Sequence, residues 1–282
     1  MTSERNFLVQ LRTQDAVLVT VHSHRGSVPR EAGAWMAVLA DETLGTVGGG
    51  HLEWQAMAQA RARLNGAPGQ PLLRYALGPS LGQCCGGEVV LKFERVGAAD
   101  VPRLQAAFAQ ARAHWPHIAL FGGGHVGRAL VQTLAPLPLS VRWVDSRDEI
   151  FPEPLPANVL AEHADPVQSA VADLPPGALV LVMSFSHAED LDVVAACIAR
   201  QRAQADLPFI GLIGSHSKWA AFSHRLQARG FRPEELAHVT CPIGLPGISG
   251  KAPEVIAVAV AAQLLQVIGS ADITRGETQR TT

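Results

Sequence analysis

Only four of the 282 residues are cysteine, and they form no Cys-x-x-Cys pair, which argues against a closed zinc site. Cys84 and Cys85 are adjacent and would make only a strained disulfide, while Cys197 lies in a helical pattern, so the cysteines read as thiols of a reducing compartment. Charge is sparse as well. With 23 Lys and Arg against 25 Asp and Glu, a net charge of −2 provides no dense positive field for a phosphate backbone, and no nucleic-acid partner is expected. No apolar run reaches bilayer length: the longest, over residues 255–268, is interrupted by Gln263 and Gln266. The opening MTSERNFLVQLRTQ also lacks a charged, then apolar, then small-residue order. A cytoplasmic chain with no membrane partner and no secretory leader is the expectation.

What is present is organised around residues 117–148, HIALFGGGHVGRALVQTLAPLPLSVRWVDSRD. A short apolar run enters Gly122, Gly124 and Gly127, spaced G-x-G-x-x-G, and a helical pattern follows at once. A second apolar run over residues 139–144 ends at Asp145, twenty-one residues beyond Gly124, where the dinucleotide-binding fingerprint carries its acid. Gly122 suits a tight turn, Gly124 leaves room for a phosphate, Gly127 lets helix and strand approach, and Asp145 is placed to accept from a ribose hydroxyl. The expectation is a C-terminal Rossmann-like domain over residues 117–268 with a parallel sheet, continued by strands near 158–161, 178–183 and 209–213 and a helix from Pro253 to about residue 268. Residues 269–282 read as a disordered tail.

The preceding residues predict a smaller α/β domain over 1–97: a helix near 3–13, a strand near 16–21, a hairpin over 35–39 and 44–47, a helix after Gly50, loop text over 65–79 and a closing strand at 89–96. Residues 98–116 read as a helical linker. Within the first domain, His22, His24, Arg25 and Arg30 make a basic loop, and Gly48, Gly49 and Gly50 open a helix N-terminus that suits a small anion site. Cys84 and Cys85 precede Gly86 and Gly87, a turn in which a thiolate would be open to a soft metal or a persulfide. In the second domain Ser186 and Glu189 have capping-box spacing, and Ser215 and Lys218 stand at a further strand-to-helix turn, Lys218 either solvated or aimed at a phosphate.

Several stretches together resemble the xanthine dehydrogenase accessory protein family, XdhC, related to the CoxI proteins: GSVPREAGAWMAV, GTVGGGHLE, CCGGEVVL, FGGGHVGRAL with WVDSR, GLIGSHSK with HRLQARGF, and PIGLPGISGKAPEVIAVAVAAQLL. The resemblance runs from about Ala16 to Leu265 in the family's order. It implies a chaperone of the molybdenum cofactor (molybdopterin) without turnover of its own. Such a protein protects the cofactor while a cysteine desulfurase supports its sulfuration and delivers it to apo xanthine dehydrogenase. Where family members tend to show a Thr-His pair after the long apolar strand, this chain has Ser184, Phe185, Ser186 and His187.

On that reading the expected cofactor contacts are Arg25, Arg30, Gly48, Gly49, Gly50, Cys84 and Cys85, with Cys85 nearest the molybdenum, while Gly122, Gly124, Gly127, Asp145, Ser215 and Lys218 hold a nucleotide or the cofactor's own phosphate. The alternative is an NAD(P)-dependent oxidoreductase using the same fingerprint. Against it, His125 lies inside the glycine turn, and His187 and His216 show no partner in sequence for hydride transfer. A homodimer stays open.

Overall fold

The structure, a computed structural model, describes residues 3–77 and 86–280. The chain divides into two units, Met1–Ala111 and Arg112–Thr282.

In the first unit, Ala16–Arg25 (β1), mostly apolar and β-branched over 16–21 and polar over 22–25, forms the centre of an antiparallel sheet. Trp35–Val38 (β2) and then Thr43–Gly45 (β3) lie on one side of it, and Glu88–Val96 (β5) and then Leu72–Ala76 (β4) on the other. Its two faces are both covered, so the period-2 rule sorts one strand into two cores. Val17, Val19 and Val21 face Leu52, Ala56 and Ala60 of the helix Gly50–Leu64 (α2). Ala16 and Leu18 face Phe7 of Ser3–Gln10 (α1) and Val101, Leu104 and Phe108 of Val101–Arg112 (α3).

Two expectations change here. The stretch read as linker is α3, a layer of the first unit's core: Trp35 packs 5.6 Å from Phe7 and 5.2 Å from Phe108, ring to ring. The loop text over 65–79 holds β4, an edge strand whose exposure alternates and whose flanking Gly and Pro residues mask it.

The second unit is a six-stranded parallel sheet. Its strands are His117–Phe121 (β6), Ser140–Asp145 (β7), Val159–His163 (β8), Leu179–Val182 (β9), Phe209–Leu212 (β10) and Val239–Thr240 (β11), in the spatial order β11-β10-β9-β6-β7-β8. Counted from β6 outward, that is the 3-2-1-4-5-6 order of doubly wound dinucleotide folds, with its reversal between β6 and β9. His125–Leu134 (α4) and Pro253–Arg280 (α8) cover one face, where Leu130, Leu134, Ala257, Val260 and Leu264 meet Ile118, Leu120 and Trp143. His187–Gln204 (α5) and His216–Ala228 (α6) cover the other through Val193, Val194, Cys197, Phe222 and Leu226. The short helix Pro233–Leu236 (α7) precedes β11.

Two C-terminal expectations are revised. The helix begun at Pro253 does not stop near residue 268 but runs on to Arg280, because nothing after Gly269 is a proline that would break it. The segment Pro253–Ser270 is also long and apolar enough to cross a bilayer by length, so the length argument against it does not hold. Ala257, Val260 and Leu264 are buried under the sheet, while Val258 and Leu265 are exposed.

Candidate functional site

The fingerprint turn follows β6. Gly122 has φ +125°, and a β-carbon there would lie 1.9 Å from the carbonyl oxygen of Met183 at the end of β9. Its own carbonyl accepts from the indole Nε1 of Trp143 at 2.8 Å. A β-carbon at Gly127 would lie 2.1 Å from that same carbonyl oxygen, so α4 sits against the turn as the spacing requires. Gly124 caps α4, and a β-carbon there would meet nothing within 4 Å. The space expected for an approaching anion exists.

The acid behaves differently from expectation. Asp145 is 1% exposed and accepts from the N–H of Gly123 at 2.5 Å, from Arg147 N–H at 2.9 Å and from Arg147 Nε and Nη2 at 2.8 and 2.9 Å. Both oxygens accept from within the unit, so Asp145 forms an internal brace between β7 and the glycine turn. Burial opposes its charge, but the Arg147 side chain and the two backbone N–H groups outweigh burial and hold the carboxyl below its usual range. The Arg147 guanidinium in turn lies 4.4 Å from the ring centroid of the exposed Phe185.

Farther along the same sheet edge, Ser186 caps α5 by accepting from Glu189 N–H at 3.2 Å, as its spacing predicts. The Glu189 carboxylate reaches one residue farther back than a capping box would, to Phe185 N–H at 3.1 Å, and accepts from Ser146 Oγ at 2.6 Å. Buried Asp190 accepts from Ser184 N–H and from Lys218 Nζ, each at 2.7 Å. Lys218 also donates to the Ile213 carbonyl at 2.8 Å, and Ser215 caps α6. Lys218 is one half of a buried ion pair, and Ser215 Oγ accepts from Lys218 N–H. Of the flagged histidines, His187 packs edge-on against Phe222, with the centroids 6.1 Å apart.

The first unit carries the other cluster. Gly48, Gly49 and Gly50 all have positive φ, which lets the chain fold back over itself before α2. A β-carbon at Gly48 would lie 2.7 Å from Pro29 Cβ and 3.8 Å from Arg30 Cγ, so the basic loop packs on the turn. A β-carbon at Gly87 would lie 2.2 Å from the Ser27 carbonyl oxygen and 2.7 Å from that of Arg25. Arg25 ends β1 opposite Glu88, and both arginines are exposed. The structure thus gathers the Arg25 to Arg30 loop, the glycine turn and the Gly86-Gly87 pair at one sheet edge. Cys84 and Cys85, which precede that pair in sequence, lie outside the described residues.

Here too the turn's donors are already used. Glu53, in the first turn of α2, accepts from Val47 N–H and Gly49 N–H at 3.1 Å each and from the Thr46 hydroxyl. The anion expected from outside at the Gly49 amide is thus the protein's own carboxylate, and an anionic ligand is left to the arginines. Glu53 was legible as an acid in the first helical turn, where the amide donors and the helix dipole attract one. The remaining described cysteines offer no reactive sulfur: burial pushes Cys197 up to about 12 and also raises Cys241. Among the described residues, no group of three or more His, Cys, Asp or Glu is arranged to hold a metal ion.

Three carboxyls of the second unit titrate low: Asp145, Asp206 against Arg200, and Glu235, held down to about 2 chiefly by Arg202. A carboxyl lowered in the folded state stabilises above the ordinary carboxylate range near ~4 and loses that contribution as pH falls through its folded value. The melting temperature should therefore stay level from about pH 7 to about pH 5 and fall between about 4 and 2. A fall already under way between pH 7 and pH 5 would contradict this assignment, and Asp145→Asn should flatten the acid limb.

Comparison with known proteins places both units. Residues 118–264 match the model of the XdhC Rossmann domain, and residues 10–76 match that of the XdhC and CoxI family. The uncharacterized protein YqeB of Escherichia coli (strain K12) is 28% identical over 265 residues, which cover 88% of this chain but 42% of that protein. The chain therefore spans less than half the length of this curated relative. The crystal structure of a xanthine dehydrogenase from Bacillus halodurans superposes with a TM-score of 0.72 at 20% identity, over 96% of each chain, and so shares the fold. With the family's Rossmann model spanning more than half of its residues, and the family's other model matching the first unit, the chain belongs to the XdhC and CoxI family.

Proposed function

We propose that this chain serves xanthine dehydrogenase maturation as a carrier of the molybdenum cofactor. It holds molybdopterin in the cytoplasm while a cysteine desulfurase supplies the sulfido ligand, and passes it to the apo dehydrogenase without turnover of its own. The observation that carries this reading is the convergence in the first unit of Arg25, Arg30, the Gly48 turn and the Gly86-Gly87 pair that directly follows Cys84 and Cys85 in sequence. Molybdopterin carries a flat aminopyrimidine edge on a reduced ring system, an anionic phosphate and a dithiolene-held, thiophilic metal. Exposed guanidinium groups suit the phosphate, and a thiol donor, Cys85 in this reading, suits the metal.

The NAD(P)-dependent oxidoreductase reading draws on the strand order and the open space at Gly124. It is weakened by Asp145, whose oxygens are filled by Gly123 and Arg147.

The test is to purify the full chain anaerobically from a host that makes the cofactor, and to measure bound pterin as its oxidised fluorescent product. Arg25→Ala/Arg30→Ala should lose about tenfold or more in retained pterin, as expected for removing two charge-assisted contacts. Cys85→Ala should lose bound molybdenum. Wild-type protein that retains no pterin but binds and turns over NADH overturns the carrier reading in favour of the oxidoreductase.

A further inference from the structure

Trp54 is the most exposed of the five tryptophans. It is 61% exposed, whereas Trp143 is fully buried and Trp35, Trp115 and Trp219 are half-buried. It does not stand alone. The His51 ring stacks on it with centroids 5.6 Å apart and planes 22° apart, and Gln55 Nε2 lies 3.0 Å from His51 Nε2, which fixes the imidazole. Both rings stand on the solvent side of α2, opposite the Leu52, Ala56 and Ala60 face that packs in the core.

Helical side chains lean toward the N-terminus, so an aromatic at position 54 covers the turn that carries Gly50 and His51. That is the end of α2 where a β-carbon at Gly49 would meet nothing within 4 Å. The loop bearing Arg30 packs against the same glycine turn, at Gly48. His22, His24, Arg25 and Arg30 are exposed; Glu31 follows Arg30 in sequence, Arg25 stands opposite Glu88 in the sheet, and Glu53 is already held by Val47 and Gly49 N–H. An exposed aromatic surface and a cationic loop thus both adjoin the Gly48 to Gly50 turn. That pairing is complementary to a ligand with a flat aminopyrimidine ring at one end and a phosphate at the other.

We infer that the His51-Trp54 pair is the platform on which the pterin ring of the cargo stacks, with the phosphate turned toward Arg25 and Arg30. This inference rests on the carrier reading and assigns the ring a seat that glycines and arginines cannot provide.

The experiment compares wild-type protein, Trp54→Phe and Trp54→Ala, each purified anaerobically as the full chain from a cofactor-producing host, with thermal melts alongside retained pterin. Trp54→Ala should keep the wild-type melting temperature, because the indole is outside the core, and should retain about tenfold less pterin, the usual scale of an aromatic stack. Trp54→Phe, which keeps a π face, should retain most of it. In the wild type, release of pterin should raise tryptophan emission, and that rise should be small in Trp54→Phe. Retention by Trp54→Ala within twofold of wild type overturns the stacking inference and leaves the carrier reading standing. Full retention combined with failure to bind apo xanthine dehydrogenase overturns it in favour of a protein-docking role for the pair. A wild-type protein that holds no pterin overturns the carrier reading, and the stack with it.

Discussion

Gly122→Ala is expected to destabilise the second unit strongly. The new β-carbon would lie 1.9 Å from the Met183 carbonyl oxygen and 2.5 Å from its carbon, on a backbone already at φ +125°. The obstacle is backbone rather than a flexible side-chain tip, so relief requires β6 and β9 to part at their carboxyl ends. That movement would break the hydrogen bond from Met183 N–H to Phe121 O, now 2.8 Å. A left-handed conformation forced on alanine adds about 1–2 kcal/mol. Together these place the cost above about 4 kcal/mol, a large share of the roughly 5–15 kcal/mol that stabilises a typical domain. Urea unfolding should show a midpoint shifted to clearly lower urea, with faster limited proteolysis of the second unit. The control is two residues away. Gly124→Ala, at φ −69° with nothing within 4 Å of its β-carbon, should cost about 1 kcal/mol or less. Equal melting of Gly122→Ala and wild type would refute the tight turn.

The second large effect is expected from Lys218→Met. Asp190 is 2% exposed, and its carboxylate is held by Lys218 Nζ at 2.7 Å and by Ser184 N–H at 2.7 Å. Removing the lysine leaves a buried carboxylate with one backbone donor, a change that costs about 3–5 kcal/mol in comparable pairs. At about 2–4 °C per kcal/mol for a unit of this size, the melting temperature should fall by about 6–20 °C. Asp190→Leu/Lys218→Met should recover much of that loss, because removing both charges also removes the desolvation they impose. This separates the ion-pair role from the phosphate-binding role considered from sequence. A lysine held ready for an anion would leave melting unchanged and weaken only ligand retention.

The parallel sheet was readable because β6, β9 and β10 are short, continuous apolar runs that end in glycine or serine turns, a pattern with few other solutions. Edges were not. β4 alternates exposure among Gly and Pro residues and β11 is two residues long, so neither contributes a run that periodicity can detect. Likewise, the apolar stripe of α3 shows that the helix covers something, but only packing shows Phe108 beside Trp35. At the fingerprint, Gly122 and Gly127 do what their spacing requires, because backbone clearance is a local property. The filling of the amides is not local. Asp145 returns to Gly123 across 22 positions, and Asp190 meets Lys218 across 28, pairings that no window of sequence displays. Glu53 lies within a turn of its glycines, yet glycine spacing alone gives no reason to look for an internal acid there.

Because Glu53, Asp145, Glu189 and Asp190 complete the helix starts from within, neither unit waits for a visitor to finish its architecture. On the proposed carrier role, loading and unloading would thereby be uncoupled from folding, and the affinity for a cargo would be set by a few side chains at the rim.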